Sequence, residues 1–432
     1  MPKDFYHLKR DNNPHREEAF TLSCLGKIHP ASSADLLRCR GYLSGLIQDS
    51  LNSPDSLTSI LIIGLTESGI IPALLMYMET LARNLDTSIL YSTRRPLSGI
   101  AFKESHSHGP DHILPLPLFS SSSAAYVRGS ISDSVRIREI SPFKEIWIVE
   151  DEITSGNTVF NLMVQLCEYL DMSRVRVFAF ADFRDSQQKT DFSLKTAMNN
   201  IECTVHTLNI MDSHSNTTGE HLLNIIDESK WQIPLGMEAK INNTKMAINN
   251  IRELEKNSLN FNNTEQNHHI KSDKASEIDP SNNWHLPEKR PALAIKSGSF
   301  INYDLWKLAP DKFSAEWIKS ETMPDRTILA VGEAIDLAAC FALADENIRF
   351  QQISLSPWKV DNISIFSRIN FAGKYYLYNY ERLKSSKSNP VFILCDPIDK
   401  DVEQEAIVKL GEYGVAVKPI FKPEFCKAEE KV

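Results

Sequence analysis

Glu150 and Asp151 sit side by side at the end of an apolar run, Ile146-Trp147-Ile148-Val149, and are soon followed by Thr154, Ser155, Gly156, Asn157 and Thr158. The two groups ask for different partners. Hydroxyl donors, a glycine that lets the backbone approach closely, and the open N–H groups of a starting helix suit a phosphate. Paired carboxylates repel a bare phosphate and suit hydroxyls or a metal ion. A ribose 5-phosphate satisfies both, with its phosphate in the 154–158 loop and its 2- and 3-hydroxyls at Glu150 and Asp151. The plainer alternative is a strand-to-helix turn capped by Thr or Ser.

Three further stretches carry groups for the rest of such a ligand. Thr66-Glu67-Ser68-Gly69 follows Gly64, and a glycine at each end of a tight strand-to-helix loop lets backbone amides face a diphosphate. Arg94 and Arg95 end another strand, where guanidinium forks pair with phosphate oxygens; a solvated basic turn is the alternative. The stretch Phe102-Lys103-Glu104-Ser105-His106-Ser107-His108 reads as a loop that closes over the ligand. It would bring a His, with Lys103 or Glu104, to the reacting centre and exclude water. His106 and His108 have metal-ligand spacing but no companion pair nearby. Upstream, Gly26-Lys27-Ile28-His29-Pro30 offers Lys27 and His29 for a hood over the acceptor, or for a solvated arm.

The elements that must hold these groups alternate. Apolar runs at 57–63, 88–91, 146–149, 174–181 and 203–208 predict strands, and 34–51 and the stretch running to about 83 predict helices. Such alternation predicts an α/β fold with a mostly parallel sheet, helices on both faces and ligand loops at the carboxyl ends of the strands. A second, smaller α/β unit follows, with strands at 327–331, 348–354 and 390–395 and a helix at 334–345. Its strand ends present Gly332, Glu333, Ser354 and Ser356 to an anion or nucleoside. The expected organisation is an arm at 1–54, the main α/β domain at 55–240, a linker at 241–285 rich in Asn, Lys, Glu and Ser, and the second domain at 286–432.

Bulk properties narrow the class. At 432 residues, more than one domain is expected. The composition, 42% hydrophobic and 24% charged, is that of a globular protein, and a net charge of -9 argues against a nucleic-acid-binding surface. Seven cysteines show no paired metal-ligand spacing and read as buried thiols of a reducing cytoplasm. The polar start, Met1-Pro2-Lys3-Asp4-Phe5, lacks the apolar core of a signal peptide, and no apolar run reaches transmembrane length.

From the apolar strand through Thr158, the chain resembles the phosphoribosyl-pyrophosphate (PRPP) motif of type I phosphoribosyltransferases, with Glu150 where Asp is commoner. More widely, Gly26 to Pro30, Thr93-Arg94-Arg95, His106-Ser107-His108, Val331-Gly332-Glu333, Ser354-Leu355-Ser356-Pro357 and Tyr376-Leu377-Tyr378-Asn379 carry a second resemblance. It is to a family associated with tellurite-resistance gene clusters, in which an orotate-phosphoribosyltransferase-like domain precedes a TRSP domain. The resemblance implies Mg²⁺-dependent phosphoribosyl transfer from PRPP to a small nitrogen acceptor in nucleoside-like metabolism. It also implies a type I phosphoribosyltransferase fold and, by analogy, a homodimer. It assigns the 5-phosphate to Thr154, Ser155, Gly156, Asn157 and Thr158, and the ribose to Glu150 and Asp151. The pyrophosphate falls to Thr66, Glu67, Ser68, Gly69, Arg94 and Arg95, with Mg²⁺ held mostly by substrate. Leu355 stands where the family's Thr-Arg-Ser-Pro signature has arginine, so that loop lacks its cation. Two other readings stay open: a non-catalytic PRPP- or nucleotide-binding regulator, and a hydrolase or lyase on a similar fold.

Overall fold

The computed structural model describes residues 5–11, 18–51, 59–83, 85, 87–94, 99–103, 112–115, 143–208, 295–296, 325–383, 390–395 and 399–420. A hairpin of β1 (Phe5–Lys9) and β2 (Glu18–Leu22) leads through a 3-10 turn (Ser23–Leu25) to β3 (Ala31–Ser32) and α1 (Ser33–Leu51). Next come β4 (Ile60–Gly64), α2 (Ile70–Ala82), β5 (Thr87–Tyr91) and a hairpin of β6 (Gly99–Phe102) and β7 (His112–Pro115). Strand β8 (Glu145–Ile153), α3 (Asn157–Leu170), β9 (Arg174–Asp182), α4 (Ser186–Met198), β10 (Glu202–Thr207) and the short β11 (Ile295–Lys296) follow. The remainder holds β12 (Arg326–Val331), α5 (Ile335–Ala344), β13 (Ile348–Ile353), a hairpin of β14 (Arg368–Phe371) and β15 (Tyr375–Tyr378), β16 (Val391–Leu394), α6 (Lys400–Glu412) and β17 (Val417–Pro419).

The main sheet has the order β10-β9-β8-β4-β5-β11, parallel throughout except for β11. Its central strand β4, Ile60-Leu61-Ile62-Ile63-Gly64, is buried along its whole length, as a strand covered on both faces must be. One covering helix is α3, whose Leu162, Met163, Leu166, Cys167 and Leu170 recur at helical spacing and pack with Ile146, Ile148, Val175 and Val177. The fold is therefore α/β with a mostly parallel sheet, as the alternation predicted.

Strand β8 departs from expectation. It does not stop at Val149 but continues through Glu150, Asp151 and Glu152 to Ile153, because its ladder with β9 persists: Glu150 opposes Ala179 and Glu152 opposes Ala181. Three consecutive acids look like loop in a sequence, yet the partner strand supplies hydrogen bonds to this end as well. The tyrosine-rich run that begins at Tyr375 forms a strand that ends at Tyr378, where Asn379 takes a left-handed conformation at φ 49°.

The second sheet has the order β17-β16-β12-β13-β3. Four strands are parallel, and β3 closes the edge antiparallel to β13 through Ala31 and Ser32. The N-terminal hairpin is sewn to the same region. Asp11 N–H donates to Pro357 O at 2.8 Å, Lys359 N–H to Lys9 O at 2.8 Å, and Arg10 bridges Trp358. Leu8, Ala19, Ile28, Trp358, Ile365 and Tyr378 bury one another there. The described residues all belong to one compact unit, Met1–His214 with Leu286–Val432, and the expected linker at 241–285 lies outside the described residues.

The cysteines require one correction. Cys24 and Cys39 form a disulfide, their Cα atoms 6.2 Å apart, where buried thiols were expected. The tight turn at Ser23–Leu25, ending at Gly26 with φ 63°, folds Cys24 back on the first turns of α1 and places the pair within bridging range. Cys167, Cys203, Cys340 and Cys395 are thiols, and Cys395 Sγ donates to Glu403 Oε2 at 3.1 Å. No helix among the described residues is long and apolar enough to cross a membrane.

Candidate active site

The site is set by the pairing of β4 with β8. Gly64 lies opposite Val149, so the loop after β4 emerges beside the acids that end β8. Leu65 N–H reaches Val149 O at 3.3 Å, and Gly69 N–H returns to Leu65 O at 2.7 Å. A Cβ on Gly69 would lie 2.4 Å from Val149 O, so only glycine allows the loop to lie this close to the strand. The Thr66–Glu67 peptide is cis. Thr66 N–H donates to Ser92 Oγ at 2.9 Å, and Ser92 Oγ is 3.0 Å from Nδ1 of the buried His112. This fastens the loop to the end of β5. The Thr66 hydroxyl is buried with no hydrogen-bond partner among the described residues.

Asp151 is 4% exposed and faces Lys27, whose Nζ lies 3.1 Å from Asp151 Oδ2 and 2.6 Å from Ser68 Oγ. Lys27 is 2% exposed. Glu150 is half-buried, and its Oε2 accepts the Asp151 N–H at 3.3 Å. Glu152, one residue on, pairs with Arg10 at 3.1 Å.

Past the acids, only Thr154, Ser155 and Gly156 separate β8 from α3. Gly156, at φ 77°, caps the helix without any side-chain cap bond, and a Cβ there would sit 2.9 Å from the Phe192 ring. Thr154, Ser155 and Thr158 are half-buried and Asn157 is exposed. Asn157 N–H points to Ser155 Oγ at 3.3 Å. This is a short hydroxyl loop at a helix start, where first-turn N–H groups have no intrahelical acceptor.

The other side of the loop after β4 is covered by the second sheet. The Glu67 carboxylate accepts from Gln352 Nε2 at 2.8 Å and from Leu355 N–H at 3.2 Å, with Arg94 Nη1 at 4.0 Å. Burial pushes the Glu67 pKa above its ordinary value, with Arg94 and Lys27 pulling the other way. Glu333 takes the Thr93 hydroxyl at 2.7 Å and the Arg94 N–H at 2.9 Å. Gly332 O accepts from Gln352 Nε2 at 3.0 Å. Ser354 exchanges backbone bonds with Tyr376, and its hydroxyl accepts the Ser356 N–H at 3.2 Å.

Of the residues singled out in the sequence, Lys27, Ser68, Glu150 and Asp151 come together, as do Glu67, Arg94 and Glu333. His29 lies with Tyr6, whose hydroxyl is 2.9 Å from Nε2, and burial lowers its imidazole pKa. Lys103 is exposed, and its carbonyl accepts from Asn161 of α3 at 3.0 Å. Arg95, Glu104, His106 and His108 lie outside the described residues. Sequence reading missed Gln352, His112 and Trp358, because none carries a local signal of a site, and it met Asn379 only as the end of the Tyr376–Asn379 run, with no role at the site. Among the described residues, no group of three or more His, Cys, Asp or Glu is arranged to hold a metal.

Taken together, the acid-bearing strand end, the hydroxyl loop and the glycine-flanked loop define an α/β protein with a candidate ligand site at the carboxyl edge of a parallel sheet. Residues 6–214 match the family model described as phosphoribosyl transferase, so this segment is phosphoribosyltransferase-like. Among solved structures, the chain is similar to adenine phosphoribosyltransferase from Saccharomyces cerevisiae, crystallised with a bisphosphate imino-altritol compound and adenine. Identity there is 14% and the TM-score 0.27, over 46% of this chain and 93% of that one. It is also similar to the Rhodothermus marinus enzyme (14%, TM-score 0.27, 48% and 93%) and the Thermoanaerobacter pseudethanolicus enzyme (12%, TM-score 0.25, 42% and 94%). No curated protein matches.

Proposed function

We propose that the protein transfers a phosphoribosyl group from PRPP to a small nitrogen acceptor. The observation that carries this reading is the adjacency of three groups at one sheet edge: the carboxylates of Glu150 and Asp151, the hydroxyl loop 154–158, and the glycine-flanked loop 66–69. A 5-phosphate at Thr154–Thr158 would take loop hydroxyls and the first N–H groups of α3. The ribose hydroxyls would then meet Glu150 and Asp151, and the diphosphate would extend toward Ser68, Gly69 and Arg94.

In this mechanism the protein mainly positions and stabilises charge. The C1–O bond breaks with both electrons going to the pyrophosphate oxygen, and an acceptor nitrogen bonds to C1 from the opposite face. The acceptor's proton passes to solvent. Glu150 and Asp151 fix the ring and stabilise the positive charge that grows on it. Their donor set, one or two carboxylates without a closed cage, fits Mg²⁺ bound largely by substrate and water. When bound, the ion supplies charge neutralisation to the diphosphate. The C-terminal sheet, expected to be a TRSP-like domain, enters through Glu333, Gln352 and Leu355.

A second reading is favoured by one feature. Glu67 and Glu333 place two carboxylates around Arg94, which offers a departing diphosphate less net positive charge than a bare arginine would. A non-catalytic PRPP or nucleotide sensor fits that feature. Calorimetric titration with PRPP and Mg²⁺, followed by pyrophosphate release across a panel of nitrogen acceptors, separates the readings. Transfer requires micromolar binding with turnover, and Asp151→Asn should reduce turnover at least tenfold. Binding with no turnover on any acceptor supports the sensor. A fully active Asp151→Asn would sink the ribose assignment.

A further inference from the structure

The acid pair and the glycine-flanked loop are joined by a cation that comes from neither. Lys27 lies on the N-terminal arm, 124 residues from Asp151 and 41 from Ser68, yet its ammonium touches both, at 3.1 and 2.6 Å. On the reading above, Asp151 marks the ribose subsite and Ser68 the diphosphate subsite. The bond that breaks, C1–O, spans those two subsites. We infer that Lys27 is the catalytic residue that stabilises the leaving pyrophosphate oxygen, an inference that rests on the phosphoribosyl-transfer reading of the same site.

The backbone around Lys27 is built to deliver it. Gly26 O accepts the Gln352 N–H at 2.7 Å, and Ile28 O accepts Asn379 Nδ2 at 3.0 Å. The carbonyls on both sides of Lys27 are thus held by the second sheet and the residue that ends β15. Gly26 has φ 63°, and a Cβ there would meet the Phe350 ring at 2.8 Å, so the turn that aims Lys27 has no room for another residue. The ammonium also lies 5.5 Å from the centroid of the Trp358 ring, which shields it from water and strengthens its charge interactions. Asn379 is itself fully buried, bonding Phe366 N–H and Ser364 O as well as Ile28 O. On this inference the C-terminal sheet acts on the reaction by placing a residue of the arm.

During transfer the C1–O bond breaks heterolytically, and negative charge collects on the bridging oxygen. Lys27 would shift one hydrogen bond from Ser68 Oγ to that oxygen while keeping Asp151. It remains an ammonium throughout, so no proton is transferred and pyrophosphate leaves as its anion.

The test uses the full chain with inorganic pyrophosphate plus Mg²⁺, ribose 5-phosphate, and PRPP plus Mg²⁺ as separate titrants, with hydrolytic release of pyrophosphate from PRPP, water bonding to C1 in place of the nitrogen acceptor, as the rate. Lys27→Gln should weaken pyrophosphate binding about tenfold and slow PRPP cleavage by roughly 10²-fold, the scale of one lost oxyanion donor. Ribose 5-phosphate binding should change less than threefold. Lys27→Arg keeps the buried charge beside Asp151; it guards against a variant that fails to fold and should recover most of the pyrophosphate affinity. Thermal melting verifies folding of both. If Lys27→Gln, or Lys27→Arg where only it folds, loses ribose 5-phosphate affinity but keeps pyrophosphate affinity, Lys27 serves the ribose acid and the inference is overturned. The same holds if folded Lys27→Gln cleaves PRPP at the wild-type rate. Wild-type protein that binds none of the three ligands overturns the transferase reading, and the Lys27 assignment with it.

Discussion

Glu67 occupies a position that the sequence offers to an anion, and the fold spends its carboxylate elsewhere. Gln352 and the Leu355 N–H hold it, Arg94 stands at 4.0 Å, and burial raises its pKa above the ordinary 4.5. Since the folded state holds the proton more tightly than the unfolded chain, Glu67 supports the fold fully below about pH 4.5, its unfolded value. That contribution is lost as pH rises through the raised folded value. Glu67→Gln is neutral at every pH and keeps an acceptor for the second sheet. The variant is therefore expected to gain melting temperature relative to wild type as pH rises above about 4.5, and to lose that advantage below it. Paired melts across this range check it; a difference that does not move with pH would mean that Glu67 does not titrate in this window. The partners themselves were not legible in the sequence. Glu67 and Gln352 stand 285 residues apart, and Thr93 and Glu333 240 apart. Local spacing carries no record of such pairings.

Strands and helices were far more legible than the bonds between them. Apolar runs with β-branched residues located β4, β5, β8 and β9, and their alternation with helices gave a parallel sheet with loops at the carboxyl ends. Polarity marks a strand boundary at Glu150 in the sequence, whereas the ladder to β9 carries β8 through three acids. This changes how the acids are presented: successive strand residues face opposite ways, and Asp151 faces Lys27 while its neighbour Glu152 faces Arg10. Two glycines flanking the loop after β4 were read as freedom for an anion, and the structure adds a packing reason for the second. A Cβ at Gly69 would lie 2.4 Å from Val149 O, 2.7 Å from Leu65 N and 2.7 Å from Leu65 O. All three are backbone atoms that cannot swing aside, so Gly69→Ala must move the loop away from β8. A loss of about 1–3 kcal/mol in stability is expected for overpacking of this kind, with PRPP affinity falling more than tenfold because Ser68 shifts from Lys27 and Asp151. Chemical denaturation and titration of the same variant measure the two effects. Unchanged affinity in a destabilised variant would show that the loop position does not govern the site.

At the scale of the molecule, the two sheets divide the chain in a way its linear order conceals. The arm that begins the sequence completes the sheet that ends it: Ala31 and Ser32 pair with β13, and the β1–β2 hairpin is bonded to Pro357 and Lys359. Leu8, Ala19 and Ile28 bury against Trp358, Ile365 and Tyr378. Removing residues 286–432 would expose that cluster, open the β3 edge and leave Glu67 without Gln352 or Leu355. Each large apolar side chain returned to water costs about 1.5–3 kcal/mol, and whole domains hold only about 5–15 kcal/mol in reserve. A fragment of residues 1–214, which spans the matched phosphoribosyl transferase region, is therefore expected to lack a cooperative melting transition although it contains the entire main parallel sheet except β11. Mixing it with a separately produced 286–432 fragment should restore a transition, because the interface joins two segments of one compact unit. Scanning calorimetry of each fragment and of the mixture decides the matter. If 1–214 alone melts cooperatively within about 5 °C of the full chain, a shift worth roughly 1–3 kcal/mol, the arm draws its stability from the main sheet. The clasp on Lys27 by Gln352 and Asn379 would then be an accessory to folding, not a part of it.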